Sequence, residues 1–535
     1  MNNKTVSNFI SIIVISILIS TCANRGTISG GEKDLEPPII TKETPENFST
    51  NFAENEIRIY FNEYVKIKDV QKQLIISPPM KTQPDITPLG GASKFVTIKI
   101  YDTLQPNTTY AFNFGQSIVD NNEGNPYSFY RYVFSTGDYI DSLSVSGNIL
   151  DAEKRAPDEF VSVMLYEVDS IFTDSVIYKD SPKYITNTLD STTTFKLENL
   201  KAGKYLMIAL KDENSSNKYE QKTDRIGFVQ EHITIPADRL FDIKLFKEET
   251  DFKVNRPKQT AGNKIAFAFE GNVEDLNINL HSPKPDGFID RITKDPKSDT
   301  LYYWYTPKIE MDSLLFSVSN KTYLDSMYVS IRDMNKDTLV IKPVQSGTLK
   351  LNENLEIEGS IPFKSINEEL ISLIDKDSMD VEFSVELDSL QNRYVFDFEK
   401  KEDENYSMQL LPNSITDLFE NKNDTITYNL RTKNASDYGK ARITLINAVY
   451  PVIVQLTDAQ GKVSAEVYGE RNQPFDFDNL NPSNYYIRVI YDTNKNGKWD
   501  TGNYLKKIQP ERISYSEEMI EVRANWDVVE TFTLK

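Results

Sequence analysis

The residues best spaced for chemistry lie near the C-terminus, in Asp492-Thr493-Asn494-Lys495-Asn496-Gly497-Lys498-Trp499-Asp500. Oxygen donors at alternate positions, followed by a glycine for a tight turn, follow the logic of a calcium loop. Asp492, Asn494, Asn496 and Asp500 would supply side-chain oxygens, and Lys498 a backbone carbonyl. The bidentate glutamate that completes such a shell is missing, because Asn503 stands three residues after Asp500. Two carboxylates would hold calcium weakly, in the range of extracellular modules at about 10⁻⁴–10⁻³ M. The same residues also suit a long hairpin turn, with Asn and Gly taking positive φ and Asp capping its own backbone. A related loop, Asp212 to Asn217, lacks the glycine and is expected to be a turn.

Cys22, the sole cysteine, is the second candidate. Lys4 precedes an apolar run from Phe9 to Ile19, too short for a stable membrane span and of signal-peptide length. Ile19-Ser20-Thr21-Cys22 resembles the lipobox of bacterial lipoproteins, although Thr21 stands where that family usually has Gly, Ala or Ser. The resemblance implies cleavage before Cys22, lipidation of its thiol and acylation of the new amine. Several acyl chains would give a durable anchor. An ordinary secretory signal with a chance cysteine is the alternative. No later apolar stretch is long enough for a helical span, so the expectation is a chain tethered to a membrane.

A third element is Asp followed by Ser or Thr and usually an apolar residue. It places Thr103, Ser142, Ser175, Ser191, Thr300, Ser313, Ser326, Thr338, Ser378, Ser389 and Thr425 as acceptors. This resembles the O-glycosylation motif of Bacteroidetes and implies an envelope or surface location. Its plainer reading is a turn handing over to a strand. Trp304, within Tyr302-Tyr303-Trp304-Tyr305, could be a sugar-stacking platform, but a core strand is the favoured expectation. Trp526 is expected to anchor the last strand in its core.

Composition excludes much else. The two histidines, His232 and His281, lie in no motif, which removes most histidine-dependent and zinc chemistry. No nucleophile elbow, zincin, phosphate loop or dinucleotide fingerprint occurs. Paired carboxylates of a glycosidase remain open in so acidic a chain, yet short sandwiches seldom build the cleft they need. A formal charge of −20 argues against nucleic acid and against direct binding to anionic headgroups. With one cysteine no internal disulfide can form, so stability must come from hydrophobic cores.

The elements that must position these residues read as strands. Ile57 to Phe61, Phe95 to Ile100, Thr109 to Phe114 and Val161 to Tyr166 are short, β-branched and aromatic runs bounded by turn residues. Helical turns are expected only near 364–374 and 412–420. Two internal repeats organise the chain. Phe195, Asn199, Leu200, Gly203, Tyr205, Asp212 and Asn214 recur with every spacing kept as Phe475, Asn479, Leu480, Ser483, Tyr485, Asp492 and Asn494. A looser repeat relates Tyr110–Asp120 to Tyr406–Asp417.

The first repeat resembles the transthyretin-like or carboxypeptidase-regulatory sandwich. Pro45 with Asn47, Ile59 to Glu63, Leu104 to Tyr110, Ile118 to Asn125 and Phe134 to Gly137 resemble the bacterial S-layer-type Ig-like domain. The layout is similar to Ig-like-domain lipoproteins of Bacteroidetes. The expectation is all-β: a signal peptide at 1–21, a lipidated cysteine and tether at 22–36, then tandem Ig-like and transthyretin-like sandwiches. Their expected bounds are 37–138, 139–250, 251–345, 346–440 and 441–535. Such a chain is expected to be a non-catalytic outer-membrane lipoprotein, a protein-binding arm of an outer-membrane complex for transport or barrel assembly. A surface adhesin or glycan binder is the alternative. Which face of the membrane it occupies is left open by a tether whose acidic residues, Glu32 and Asp34, come late.

Overall fold

The computed structural model describes residues 34–188, 192–271, 276–321 and 323–534. Two compact units divide the chain at Ser142 and Leu143. Cys22 and Ser191 lie outside the described residues.

The first unit is one sandwich. Strands Ile40–Thr44, Glu56–Ile67, Ser93–Lys99 and Asp85–Thr87 form one sheet in that order, with Ile118–Asp120 also pairing with Glu56–Ile67. Ile75–Ser77, Thr109–Asn113 and Arg131–Ser135 form the other. The period-two pattern read at Ile57–Phe61 sends Ile57, Ile59 and Phe61 inward, against Phe112, Tyr132 and Phe134 of the facing sheet. Each fully buried large apolar side chain contributes about 1.5–3 kcal/mol before chain entropy is counted.

Among the described residues the second unit contains four sets of strands, spanning residues 143–245, 253–330, 341–431 and 439–533, and no sheet there joins strands of two sets. The first and last of these share one topology. In the earlier one, Thr194–Leu200, Leu143–Asp151 and Phe241–Leu245 form a three-stranded sheet whose last pair is parallel. In the later one, Phe475–Leu480, Gly439–Ile446 and Asp527–Thr533 do the same. The opposite sheets also correspond, with Gly203–Lys211 and Ser483–Tyr491 as their central strands.

Turn chemistry explains why the repeat kept its spacing. Asn199 and Asn479 both take left-handed φ, 60° and 53°, which asparagine tolerates better than most residues. Tyr205 and Tyr485 then bend back, and their hydroxyls donate to the carbonyls of Lys201 and Asn481 at 3.1 and 2.6 Å. The looser repeat has the same kind of basis. The Tyr110 and Tyr406 hydroxyls accept from the backbone N–H of Gln105 and Lys401. Asp120 and Asp417, both buried, accept several loop N–H groups each.

Two expectations about local structure are corrected. Residues 412–420 hold strand Ile415–Asp417 within turns, because Asp417 caps the turn after it; near 364–374 a single 3₁₀ turn, Glu368–Leu370, does form. Trp526 does not anchor the last strand. It is 53% exposed and lies beside the Arg523 guanidinium, because it precedes the strand that pairs with Gly439–Ile446.

Candidate functional site

The loop from Asp492 to Asp500 leaves the central strand Ser483–Tyr491 of the last sandwich. Asp492 is fully buried. One of its carboxylate oxygens accepts from Asn496 N–H at 3.0 Å and the other from Gly497 N–H at 2.8 Å. Asn494 and Asn496 both donate their amide N–H to Asp500 Oδ2, at 2.6 and 2.8 Å. Thr493 N–H and Asp500 N–H both donate to the Glu511 carboxylate. The structure therefore brings four of the five proposed calcium ligands into one hydrogen-bonded loop, with their oxygens turned to backbone N–H groups and amides. Lys498 donates its N–H to Asn496 Oδ1. Among the described residues no group of three or more His, Cys, Asp or Glu side chains converges as a metal site.

The companion loop is built the same way. Asp212 accepts from Asn214 and Asn217 N–H, and Asn217 adopts φ 55° where Gly497 adopts 73°. Asparagine supplies the left-handed residue there, so the absent glycine does not change the backbone.

Beyond these shared turns the two connections diverge. The connection from Asp492 to Arg512 is longer than the one from Asp212 to Asp224, and its added residues reach the sandwich at 143–245. Tyr504 is fully buried, with its ring 5.5 Å from Phe228, which in turn lies 6.0 Å from Phe246. Tyr504 N–H donates to the buried Glu248 carboxylate, whose second oxygen accepts from Tyr219 hydroxyl at 2.7 Å. Tyr504 hydroxyl donates to the Asp174 carbonyl at 3.1 Å. Burial pushes the Tyr504 hydroxyl up, and the Asp174 carboxylate adds to this, so it stays a neutral donor. Lys507 pairs with Asp174 at 2.6 Å and lies 4.0 Å from the Tyr504 ring. Gln230 and Gln509 exchange side-chain bonds to backbone carbonyls across the same contact. Arg155 stacks at 3.9 Å on Tyr486. A motif spaced for a metal thus introduces a clamp between two sandwiches far apart in sequence.

Sequence reading missed Tyr504, Glu248 and Lys507. The available signal was the unequal length of the two repeat loops and a tyrosine and leucine set within the polar insertion. Trp304 follows the favoured core-strand reading and is not a sugar platform. It is buried, donates to Thr293 Oγ1 at 2.9 Å, and packs with Ile361 and Leu418 of the next sandwich. His281 Nε2 is bonded to Ser317 Oγ at 2.7 Å, and His232 packs edge-on against Phe172.

Among the glycosylation candidates, Thr103, Ser142, Ser326, Thr338, Ser378, Ser389 and Thr425 are exposed, and Ser175 and Ser313 are half-buried. Thr300 is corrected: it is buried in strand Thr300–Thr306, pairs with Ala268 and accepts from Ser298 Oγ, which leaves no room for a glycan.

Residues 34–136 match the bacterial Ig-like domain family. No curated protein matches the chain. Among solved structures, the surface layer protein SbsC (domains 1–6) is 11% identical, with 91% of this chain and 67% of that chain covered and a TM-score of 0.16. The Sidekick-1 immunoglobulin domains 1–4 are 8% identical, with 73% and 95% covered and a TM-score of 0.20. The chain is all-β, its residues 34–136 are similar to a bacterial Ig-like domain, and this architecture fits a structural or binding role.

Proposed function

We propose that the protein is a non-catalytic lipoprotein of a Bacteroidetes-type outer membrane, held by lipid on Cys22 and acting as a protein-binding accessory subunit of an outer-membrane complex for transport or barrel assembly. The observation that carries this reading is the use made of the motif best spaced for chemistry. Its donors satisfy one another, and its continuation fixes one sandwich on another. Such a chain offers fixed sheet edges and faces, and a tethered protein gains effective concentration for a membrane partner, so modest interfaces suffice. O-glycans on the exposed Asp-Ser and Asp-Thr sites would keep the remaining surface soluble.

The test is affinity capture of the tagged protein from mild-detergent outer membranes, read by mass spectrometry. A stoichiometric integral barrel protein in the capture is the expected result. Recovery of the protein alone would overturn the accessory-subunit reading and favour an adhesin or glycan binder.

A further inference from the structure

The last sandwich is an open copy of the one at 143–245, and the difference can be traced residue by residue. In the closed copy, the last strand Phe241–Leu245 buries Phe241, Ile243 and Leu245 completely or nearly so. Beyond it, Ile226 and Phe246 exchange backbone hydrogen bonds of 2.9 and 2.8 Å, joining the two sheets along that side. Close approach of the two sheets depends on Gly227, and the close pairing of Leu143–Asp151 with Phe241–Leu245 inside one sheet depends on Gly147. A Cβ on Gly227 would stand 2.4 Å from the Lys244 carbonyl oxygen, and one on Gly147 would stand 1.8 Å from that of Phe241.

The strand registers locate the counterparts. Gly147 pairs with Phe195 and Phe241, and Ile443 pairs with Phe475 and Glu530. Gly227 pairs with Ala209, four residues after Tyr205; Ser514 pairs with Val489, four residues after Tyr485. Both glycines are thus replaced by residues with side chains, and the buried Phe241 is replaced by exposed Glu530. Ser514 thus places a side chain where Gly227 lets the two sheets meet, whereas the strand pair at Ile443 and Glu530 still forms.

The result is a groove of about 680 Å³ between strand Asp527–Thr533 and the edge at Ser514 and Tyr515. Val528 and Phe532 are half-buried on its wall, and Ile520 lies at its base. Glu517, Glu518, Glu521 and Glu530 line it, and among the described residues no Lys or Arg does. Asp527–Thr533 pairs with Gly439–Ile446 on one side and is the edge of its sheet on the other.

We propose that this groove binds an extended segment of a partner protein whose every second residue runs apolar, basic, apolar, adding it as a strand to the free edge of Asp527–Thr533, whose Val528, Glu530 and Phe532 share one face. Main-chain bonds would come from the edge, and apolar side chains would cover Val528 and Phe532. Lysine or arginine would meet Glu530, which a neutral or acidic strand would bury without a partner. A second copy of this chain is disfavoured by its charge of −20. The proposal rests on the protein-binding reading of the whole chain and names its surface.

The probe is a fluorescein-labelled synthetic peptide of about ten residues in which Val and Lys take turns at every second position with Thr between them, long enough to run past the edge strand. A Val–Glu peptide of equal length is its control. Anisotropy with the full chain should give saturable binding of the Val–Lys peptide and none of the Val–Glu peptide. Glu530→Lys should weaken binding about tenfold, while Glu382→Lys, which changes net charge equally on another sandwich, should leave it unchanged. Hydrogen exchange should slow within 527–533 on binding. Equal binding of both peptides, equal effects of the two substitutions, protection elsewhere, or a concentration-dependent dimer occupying the groove would each overturn the proposal. Membrane capture with the Glu530→Lys chain separates the two readings. Retention of the barrel partner would sink the groove alone, whereas loss of every partner from the unsubstituted chain would sink the accessory-subunit reading.

Discussion

At the scale of single residues, Tyr504 matters more than the carboxylates around it. Its ring fills the space beside Phe228, and its N–H satisfies one oxygen of buried Glu248. Removing a buried aromatic side chain costs about 3–5 kcal/mol. Tyr504→Ala should therefore lower the denaturant midpoint of the second unit by that order. Tyr504→Phe keeps the ring and loses the bond to the Asp174 carbonyl, for about 1 kcal/mol. Equilibrium urea unfolding followed by tyrosine fluorescence measures both, and equal losses would mean that the hydroxyl, not the ring, holds the contact. The calcium loop makes the opposite case. Asp492 and Asp500 already accept two bonds each from within the loop, so an ion must displace them. Calorimetric titration should show no saturation below about 10⁻⁴ M calcium, and tighter binding would show that the loop reorganises around the ion.

At the scale of elements, much was legible because it is local. Alternating runs became strands, and repeated Asn, Tyr and Asp positions became the same turns, since a left-handed asparagine and a tyrosine bonded four residues back need no distant partner. The clamp through Tyr504 and the exposure of Trp526 were not legible, because each depends on which distant surface arrives; Trp304 was read as a core residue, but not its packing against the next sandwich. The Arg225 cluster is a similar non-local product. Its guanidinium joins Asp151 of the first strand of its sandwich and Asp158 of the next loop, at 2.7 and 2.9 Å. Burial alone would raise the Asp158 carboxyl, but the Lys154 ammonium and the Arg225 guanidinium outweigh it and hold it below the usual carboxylate range. A folded value below the unfolded one contributes stability above the unfolded value, and that contribution is lost as pH falls through the folded value. Asp158→Asn should then melt earlier than the parent near neutral pH. The two melting temperatures should converge as pH drops below about 4. A difference that persists unchanged into strong acid would mean that packing, not charge, is what the substitution removes.

At the scale of the whole molecule, the proposed role requires a means of holding so acidic a protein at a membrane. No helix among the described residues is long and apolar enough to cross a bilayer, and a charge of −20 repels anionic headgroups. The proposed role assigns attachment to lipid on the Cys22 thiol, where one acyl chain would give only marginal, reversible binding. The expected outcome is specific. In cells fed a radiolabelled fatty acid, the parent chain should take up label and sediment with membranes, and Cys22→Ser should do neither. The substituted protein should still fold, since Cys22 precedes every strand of both units. If the Cys22→Ser chain stays with membranes after a carbonate wash that strips peripheral proteins, the anchor lies elsewhere and the lipoprotein reading falls. If it is released by that wash but not by buffer alone, contacts made by the sandwiches retain it. The groove beside Asp527–Thr533 is then the first place to look, because Glu530→Lys in the same unanchored chain should release it without any wash.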